Sequence, residues 1–462
     1  MPDFAPELLH SLSQTEQADR TIRFLKQLPL TGNEGIQLGQ AVPWCPGAYW
    51  FRRSHETEGA GGPNRPSDAG GPIRPSDAGG PNRPSDAGGP NRPALKPLHH
   101  DPAYQAGAWH VQEASGLVLD EVLRQLKAKG YKFTKLLDAC AAPGGKSLTL
   151  LRHLDSEPGQ GNEATEGGLM AAEPQQDRLE LLAQTLARTG SDRYTVVKAE
   201  AQQWSVTEPL FEGILADMPC SGEGMFRKNP ESIRDWSPEK TASCAALQDL
   251  ALEGLVHALL PGGWLIYATC TFGLEENTRR LLPWLHRKTL RACDLSLPQE
   301  WGFVHASRID PMWPSEACAY WALPSRVAGE GFFFAVLYKP EPVEAVLPKM
   351  PHPWQVPAGI KVHAQGPGFH KDGRPNHALA LALGAASHGK WENILREKGF
   401  TYRVVETDRQ IATWFCQGQA LQLGACTDGW NLLCYGGFGL GWLFRQGRQV
   451  QNFYPSSFRI PR

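Results

Sequence analysis

The chain contains no run of about 18 apolar residues, so nothing in it reads as a membrane span. Residues 1–35 mix acidic, basic and apolar side chains without a secretory h-region, which makes the cytoplasm the expected location. None of its ten cysteines forms a CxxC pair or a Cys/His cluster with zinc spacing. Reduced thiols and no bound metal are therefore expected, and any sulfur chemistry must rest on individual cysteines. Net charge is scarce too, −2 over 462 residues, which for the whole chain argues against a nucleic-acid partner. The balance is uneven, however. Residues 361–462 hold 12 Lys and Arg against 6 Asp and Glu, leaving 34 basic and 42 acidic residues elsewhere. A basic C-terminal part on an acidic body fits RNA binding, although many basic surfaces are only solvated faces.

A nonapeptide repeat begins at Gly61, Gly70 and Gly79 (GGPNRPSDA, with Ile73 for Asn in the second copy), followed by a partial copy over 88–93. Gly, Pro, Ser and Asp leave no apolar face to bury, so 54–93 reads as an extended or disordered insertion without a catalytic role. From Phe133 onward, short apolar runs alternate with helix-like segments. Candidate strands are 134–138, 169–172, 194–197, 213–217 and 264–269, with helices over 146–154, 175–188 and 240–260 and a later buried strand over 331–338 (GFFFAVLY). Such alternation predicts an α/β fold with a doubly wound, mostly parallel sheet. A Pro-rich stretch over 341–357 reads as a linker. The expected organisation is an N-terminal cap (1–53), the insertion (54–93), a catalytic domain (94–340), the linker, and a C-terminal RNA-binding region (358–462).

The segment 136–147, LLDACAAPGGKS, combines a strand, a turn of small residues and a helix start. Small residues let a ligand lie against backbone amides at a helix N-terminus. A Walker A loop would need Gly at Cys140, five residues before Gly145, so a nucleotide triphosphatase is disfavoured. Glu173 follows the second strand and suits the two ribose hydroxyls of a nucleoside cofactor. Glu200 follows the third strand, within reach of an adenine edge, and Asp217 ends the fourth. A single strand-end acid is often only a helix cap. Three at successive strand ends point to a ligand crevice.

Two further segments, ADMPCSGEGMFRK (216–228) and YATCTFGLEEN (267–277), each place a cysteine, Cys220 and Cys270, just past a predicted strand. A lone cysteine is usually a buried, inert small hydrophobe. Two at adjacent strand ends of one crevice suit covalent chemistry on a pyrimidine. Carbon 5 of cytosine is too poor a nucleophile to take a methyl group from a sulfonium. Addition of a thiolate at carbon 6 makes carbon 5 enamine-like, and loss of the carbon 5 proton later expels the sulfur. Attack requires a thiolate, and an acid near ring N3, a role suited to Asp217, assists it.

These segments, DACAAPGGK, ADMPCSGEG and YATCTFGLEEN, resemble the Sun/NSUN family of S-adenosylmethionine-dependent RNA cytosine-5 methyltransferases. HVQEASG (110–116) and CSGEGMFRKNPESIRDWSPEK (220–240) are similar to its RsmF-type branch, which acts on small-subunit ribosomal RNA. RPNHALALAL (374–383) and YGGFGLGW (435–442) resemble that branch's PUA-like RNA-binding end. The resemblance implies a class I, Rossmann-like methyltransferase domain and a PUA-like α+β region. It implies Cys270 as nucleophile, Cys220 assisting release of the adduct, and Asp217 and Lys146 lining the catalytic pocket. S-adenosyl-L-methionine would lie along Cys140, Ala141, Ala142, Pro143, Gly144, Gly145 and Lys146, with Glu173 on the ribose, Glu200 near the adenine and Asp217 beside it. DNA enzymes attack from a Pro-Cys cysteine, so the Thr269–Cys270 pair points to RNA. The expected partner is RNA, 16S ribosomal RNA or the small subunit, acted on by a monomer with neither membrane nor metal. Departures include GIQLGQ (35–40) in place of an Arg-x-Asn pattern, Glu200 for Asp, Arg326 for Lys or His, and the insertion. Rival readings are a tRNA methyltransferase, an RNA-binding assembly factor with a vestigial donor pocket, and an amino-group methyltransferase. The last usually carries an Asn/Asp-Pro-Pro-aromatic motif, whereas 217–220 reads DMPC.

Overall fold

The computed structural model describes residues 20–24, 36–43, 45, 48–53, 98–155, 167–206, 208–226, 229, 231–327, 329–341, 356–383, 388–421 and 423–461. The nonapeptide insertion and most of the expected linker lie outside the described residues.

The centre of the molecule is a mostly parallel sheet. Its first strands are β1 (Lys135–Asp138), β2 (Gly168–Ala172), β3 (Tyr194–Lys198), β4 (Phe211–Asp217) and β5 (Leu259–Thr269), followed by β6 (Ala319–Ala322) and β7 (Phe332–Tyr338). Across the sheet they run β3-β2-β1-β4-β5-β7-β6, with β7 antiparallel to both β5 and β6. The middle strands are near-continuous apolar runs because helices cover both faces, and Leu136, Leu137, Met170, Ile214, Leu265 and Ile266 are fully buried. Packing here is tight enough to require glycine. A Cβ on Gly213 would overlap the Trp264 indole, whose ring nitrogen donates to the Lys132 carbonyl across the sheet edge (3.1 Å).

The long helix before β5, Pro238–Ala258, starts on Ser237, whose hydroxyl accepts the Lys240 N–H (3.2 Å), with proline in the first turn. It ends two residues earlier than the sequence suggested. Leu259 is already extended (φ −76, ψ 129), and Pro261 disfavours the helical region for the residue before it.

Two smaller sheets flank this domain. Ile36–Ala41, Ala48–Arg53, Arg20–Phe24 and Trp109–Glu113 pair antiparallel, in that order. The C-terminal sheet joins Tyr402–Thr407, Gly429–Tyr435, Phe438–Gln446 and Gln449–Asn452, its first pair parallel and the others antiparallel. One C-terminal core packs Phe400, Tyr402, Trp430 and Trp442 in tilted and edge-to-face contacts. Another shares Ala103, Ala106, Ala108 and Trp109 with Phe415, Leu433, Leu440 and Tyr454, so the C-terminal module packs on the segment leading into the N-terminal sheet. The strand Lys361–Gln365 extends the catalytic sheet by pairing antiparallel with β3. Among the described residues, no helix is long and apolar enough to cross a membrane.

Candidate active site

The C-terminal ends of β1 to β5 open into one cavity of about 810 Å³, within the size range of nucleoside-type ligand sites. Its wall carries Cys140, Ala141, Ala142, Pro143, Gly145, Lys146, Glu173, Glu200, Asp217, Cys220 and Cys270. Of the residues singled out from the sequence, Gly144 alone is not on the wall. It shapes the loop instead, holding φ +109 where a Cβ would lie 2.8 Å from Thr185 Cγ2. Directly after it, the helix Gly145–Asp155 begins. The Gly145 carbonyl accepts from Gln112 Nε2 (2.6 Å), so the N-terminal sheet braces the turn.

Below the loop, Asp138 is fully buried and accepts from the Ser147 hydroxyl (2.6 Å). Burial drives its carboxyl up to about 7, against the pull of that hydrogen bond. Glu173 is 2% exposed. Its Oε1 accepts the Gln175 N–H (2.9 Å), and Arg178 Nη1 stands 3.5 Å from Oε2 while Nη2 donates to the Ala142 carbonyl (2.7 Å). Glu200 is exposed at the rim and accepts from the Gln202 amide. The residues present fit a nucleoside-type methyl donor. Small side chains keep the 140–145 loop open to the cavity, and a carboxylate stands at each of the next two strand ends.

At the opposite end of the cavity lie the reactive groups. Lys146 Nζ donates to Asp217 Oδ2 at 2.8 Å, with the two side chains 28% and 27% exposed. Burial works against the Lys146 charge, but Asp217 overrides it and holds the ammonium above its usual range. Nζ also lies 5.0 Å from the centre of the Phe332 ring on β7. Cys220 and Cys270, fifty residues apart in sequence, place their sulfurs 3.4 Å from each other. The hydrogen bond from Cys220 lowers the Cys270 thiol below its ordinary value, against burial and the Asp217 carboxylate and with help from Lys146. The same bond, together with burial, raises Cys220. Cys270 is thus the sulfur disposed to ionise.

Several wall residues carried no role in the sequence reading. Glu113 binds the backbone N–H groups of Ser115 (2.9 Å), Gly116 (2.7 Å) and Glu330 (3.0 Å), tying the N-terminal sheet to the loop before β7. Gln112, Glu113 and His110 lie in the HVQEASG segment, which was the available signal; nothing local marks Phe332 or Arg178. Among the described residues, no group of three or more His, Cys, Asp or Glu could hold a metal ion.

The strand order, the antiparallel β7 and the small-residue loop after β1 define a class I, Rossmann-like methyltransferase fold. Residues 126–338 match the family described as 16S rRNA methyltransferase RsmB/F, and residues 402–460 match the methyltransferase RsmF PUA domain. Ribosomal RNA small subunit methyltransferase F of Escherichia coli O9:H4 (strain HS) is 31% identical over 332 residues, covering 69% of this chain and 55% of the relative. The protein of that name from Shigella boydii serotype 18 is 31% identical over 320 residues, with the same coverage. The chain therefore spans about half the length of these curated relatives. A crystal structure titled PH0851 aligns at a TM-score of 0.50 and 20% identity, over 72% of this chain and 62% of that one, a likeness of fold. This chain belongs to the RsmB/F methyltransferase family.

Proposed function

We propose that the protein methylates carbon 5 of cytosine in RNA, with small-subunit (16S) ribosomal RNA as substrate, through a covalent adduct to Cys270. One observation carries this reading: two thiols 3.4 Å apart, facing the cavity beside the Lys146–Asp217 pair. The Cys220 hydrogen bond favours Cys270 as the thiolate that adds to ring carbon 6. As charge builds on the ring, Lys146 and Asp217 supply the proton and hydrogen bond that N3 takes up. Bound between the 140–145 loop and the Glu173 and Glu200 carboxylates, S-adenosylmethionine supplies the electrophilic methyl group that carbon 5 takes. Cys220 then assists transfer of the carbon 5 proton to solvent, the electron pair left behind re-forms the carbon 5–carbon 6 double bond, Cys270 departs as a thiolate, and N3 returns its proton to the Lys146–Asp217 pair. The target base must leave its stack to reach sulfurs recessed at the cavity floor.

The names of the relatives support ribosomal RNA as the substrate, and the PUA match supports RNA capture by the C-terminal module. Location in the cytoplasm and action as a monomer belong to the same proposal. Among the described residues no disulfide joins any of the ten cysteines. The test is to incubate the full chain with unmodified 16S ribosomal RNA and S-adenosylmethionine, then sequence after bisulfite treatment. At least one newly protected cytosine is expected. Protection only in transfer RNA would move the substrate, and none in either RNA would overturn the proposed activity.

A further inference from the structure

Glu276 has 0% exposure and lies one turn beyond Cys270, yet no step above uses it. Its Oε1 accepts the Ser221 N–H at 2.9 Å and Gln248 Nε2 at 3.2 Å. The same Gln248 nitrogen donates to the Pro219 carbonyl at 2.9 Å. Cys220 is the residue between Pro219 and Ser221, so its backbone is gripped on both sides by one carboxylate and one amide. The Glu276 main chain is itself held, because the Tyr267 hydroxyl on β5 donates to the Glu276 backbone carbonyl at 2.6 Å. Its second oxygen, Oε2, is buried and has no hydrogen-bond partner. A buried carboxylate with an idle oxygen is costly to keep, and nothing in the packing of the fold requires a charge there.

Cys270 is held by different contacts. Its carbonyl accepts the Gly224 N–H at 2.8 Å, and the turn after it is fastened by Glu223, which accepts the Phe272 N–H at 2.7 Å. Ser221 Oγ and Thr271 Oγ1, 3.0 Å apart, link the two loops beside the sulfur pair. Cutting the Glu276 contacts therefore frees the Ser221 side of Cys220 while leaving in place the contacts that Gly224 and Glu223 make around Cys270.

We infer that Glu276 is a positioning residue for the release half of the reaction, acting through Ser221 and Gln248 to keep the Cys220 sulfur against the adduct. The inference rests on the covalent mechanism proposed above. With Glu276→Ala, Cys270 still attacks, but the adduct resolves slowly although both cysteines are present. On denaturing gels with unmodified 16S ribosomal RNA and S-adenosylmethionine, the covalent protein–RNA species should exceed the wild-type level at least tenfold. Glu276→Gln keeps an acceptor for the Ser221 N–H and should return the adduct to near the wild-type level, which loss of general stability would not predict. Gln248→Ala, which cuts the tie to Pro219 and the amide's own bond to Glu276 but leaves the Glu276 contact to Ser221, should accumulate an intermediate amount. If Glu276→Ala does not fold, Gln248→Ala decides: adduct at the wild-type level overturns the inference. So does a folded Glu276→Ala protein that shows no excess adduct while Cys220→Ala traps one. If Cys220→Ala also traps nothing, the covalent mechanism itself falls and takes this inference with it.

Discussion

Replacing Cys220 by alanine has two opposing effects on the adduct. The variant lacks the group that assists release, so once Cys270 has bonded to the base the covalent species should persist. Yet Cys220 is also the hydrogen-bond donor that favours the Cys270 thiolate, across 3.4 Å. Hydrogen bonds to charged groups contribute about 1.5–3 kcal/mol, and a thiol is a weak donor, so the lower end applies. Losing about 1.5 kcal/mol of thiolate stabilisation slows attack roughly tenfold at neutral pH. The sign of the pH effect follows. Without its donor the Cys270 thiol rises, so the rising limb of the attack rate should move to higher pH. The assay is a quenched time course on denaturing gels, with single-turnover methyl transfer by the unmodified protein as reference. The expected result is a variant that traps to near completion but loads slowly. Loading at the wild-type rate with an unshifted pH limb would refute the role given to the sulfur–sulfur bond. Trapping by Cys270→Ala instead would reverse the roles of the two cysteines.

Asp138 titrates near 7 when folded and near 4 when unfolded, so its stability contribution is whole below pH 4 and is lost as pH rises to 7. Asp138→Asn keeps an acceptor for Ser147 and does not titrate. Its stability relative to wild type should climb across that window by on the order of 3 kcal/mol in urea unfolding, and a constant difference would be contrary. Gly144→Ala forces a side chain into φ +109 and against Thr185, a strain of about 1–3 kcal/mol. By calorimetric titration, S-adenosylhomocysteine affinity should fall about tenfold, and unchanged affinity would mean the loop is not the donor cradle. Removing residues 402–462 uncovers Trp109 and its neighbours. The remainder should melt at a clearly lower temperature by circular dichroism, whereas an equal melting temperature would make the C-terminal module an independent attachment.

The strands that end at the cavity were legible because each is an apolar run followed by small or chemically active residues. What escaped was decided by tertiary pairing. The four residues of β6, AYWA, show no alternation and become a strand only because β7 lies beside them. The strand Lys361–Gln365 is largely exposed and carries Lys and His, so it reads as part of the basic C-terminal region until β3 offers its free edge. Gln112 and Glu113 reach the donor loop and the loop before β7 from a separate sheet, and no local spacing announces that. Glu276 lay in plain view in the GLEEN segment, but its role depends on Gln248, twenty-eight residues earlier, bending over the same loop.

The two cysteines show most clearly what the structure adds. In sequence they are equivalent, each one small step past a parallel strand, and only motif resemblance ranked them. In three dimensions their surroundings differ. On Cys270 the hydrogen bond from Cys220 favours charge while Asp217 and Lys146 pull in opposite directions, whereas on Cys220 the shared hydrogen bond, burial and the Glu276 carboxylate all disfavour it. Two identical thiols in contact cannot both ionise cheaply, so a small bias from neighbours decides which one carries the charge. Here Glu276, holding the Ser221 end of the Pro219–Ser221 tripeptide, adds to the bias against charge on Cys220. That asymmetry favours attack from Cys270, the nucleophile that the motifs suggested by a separate route.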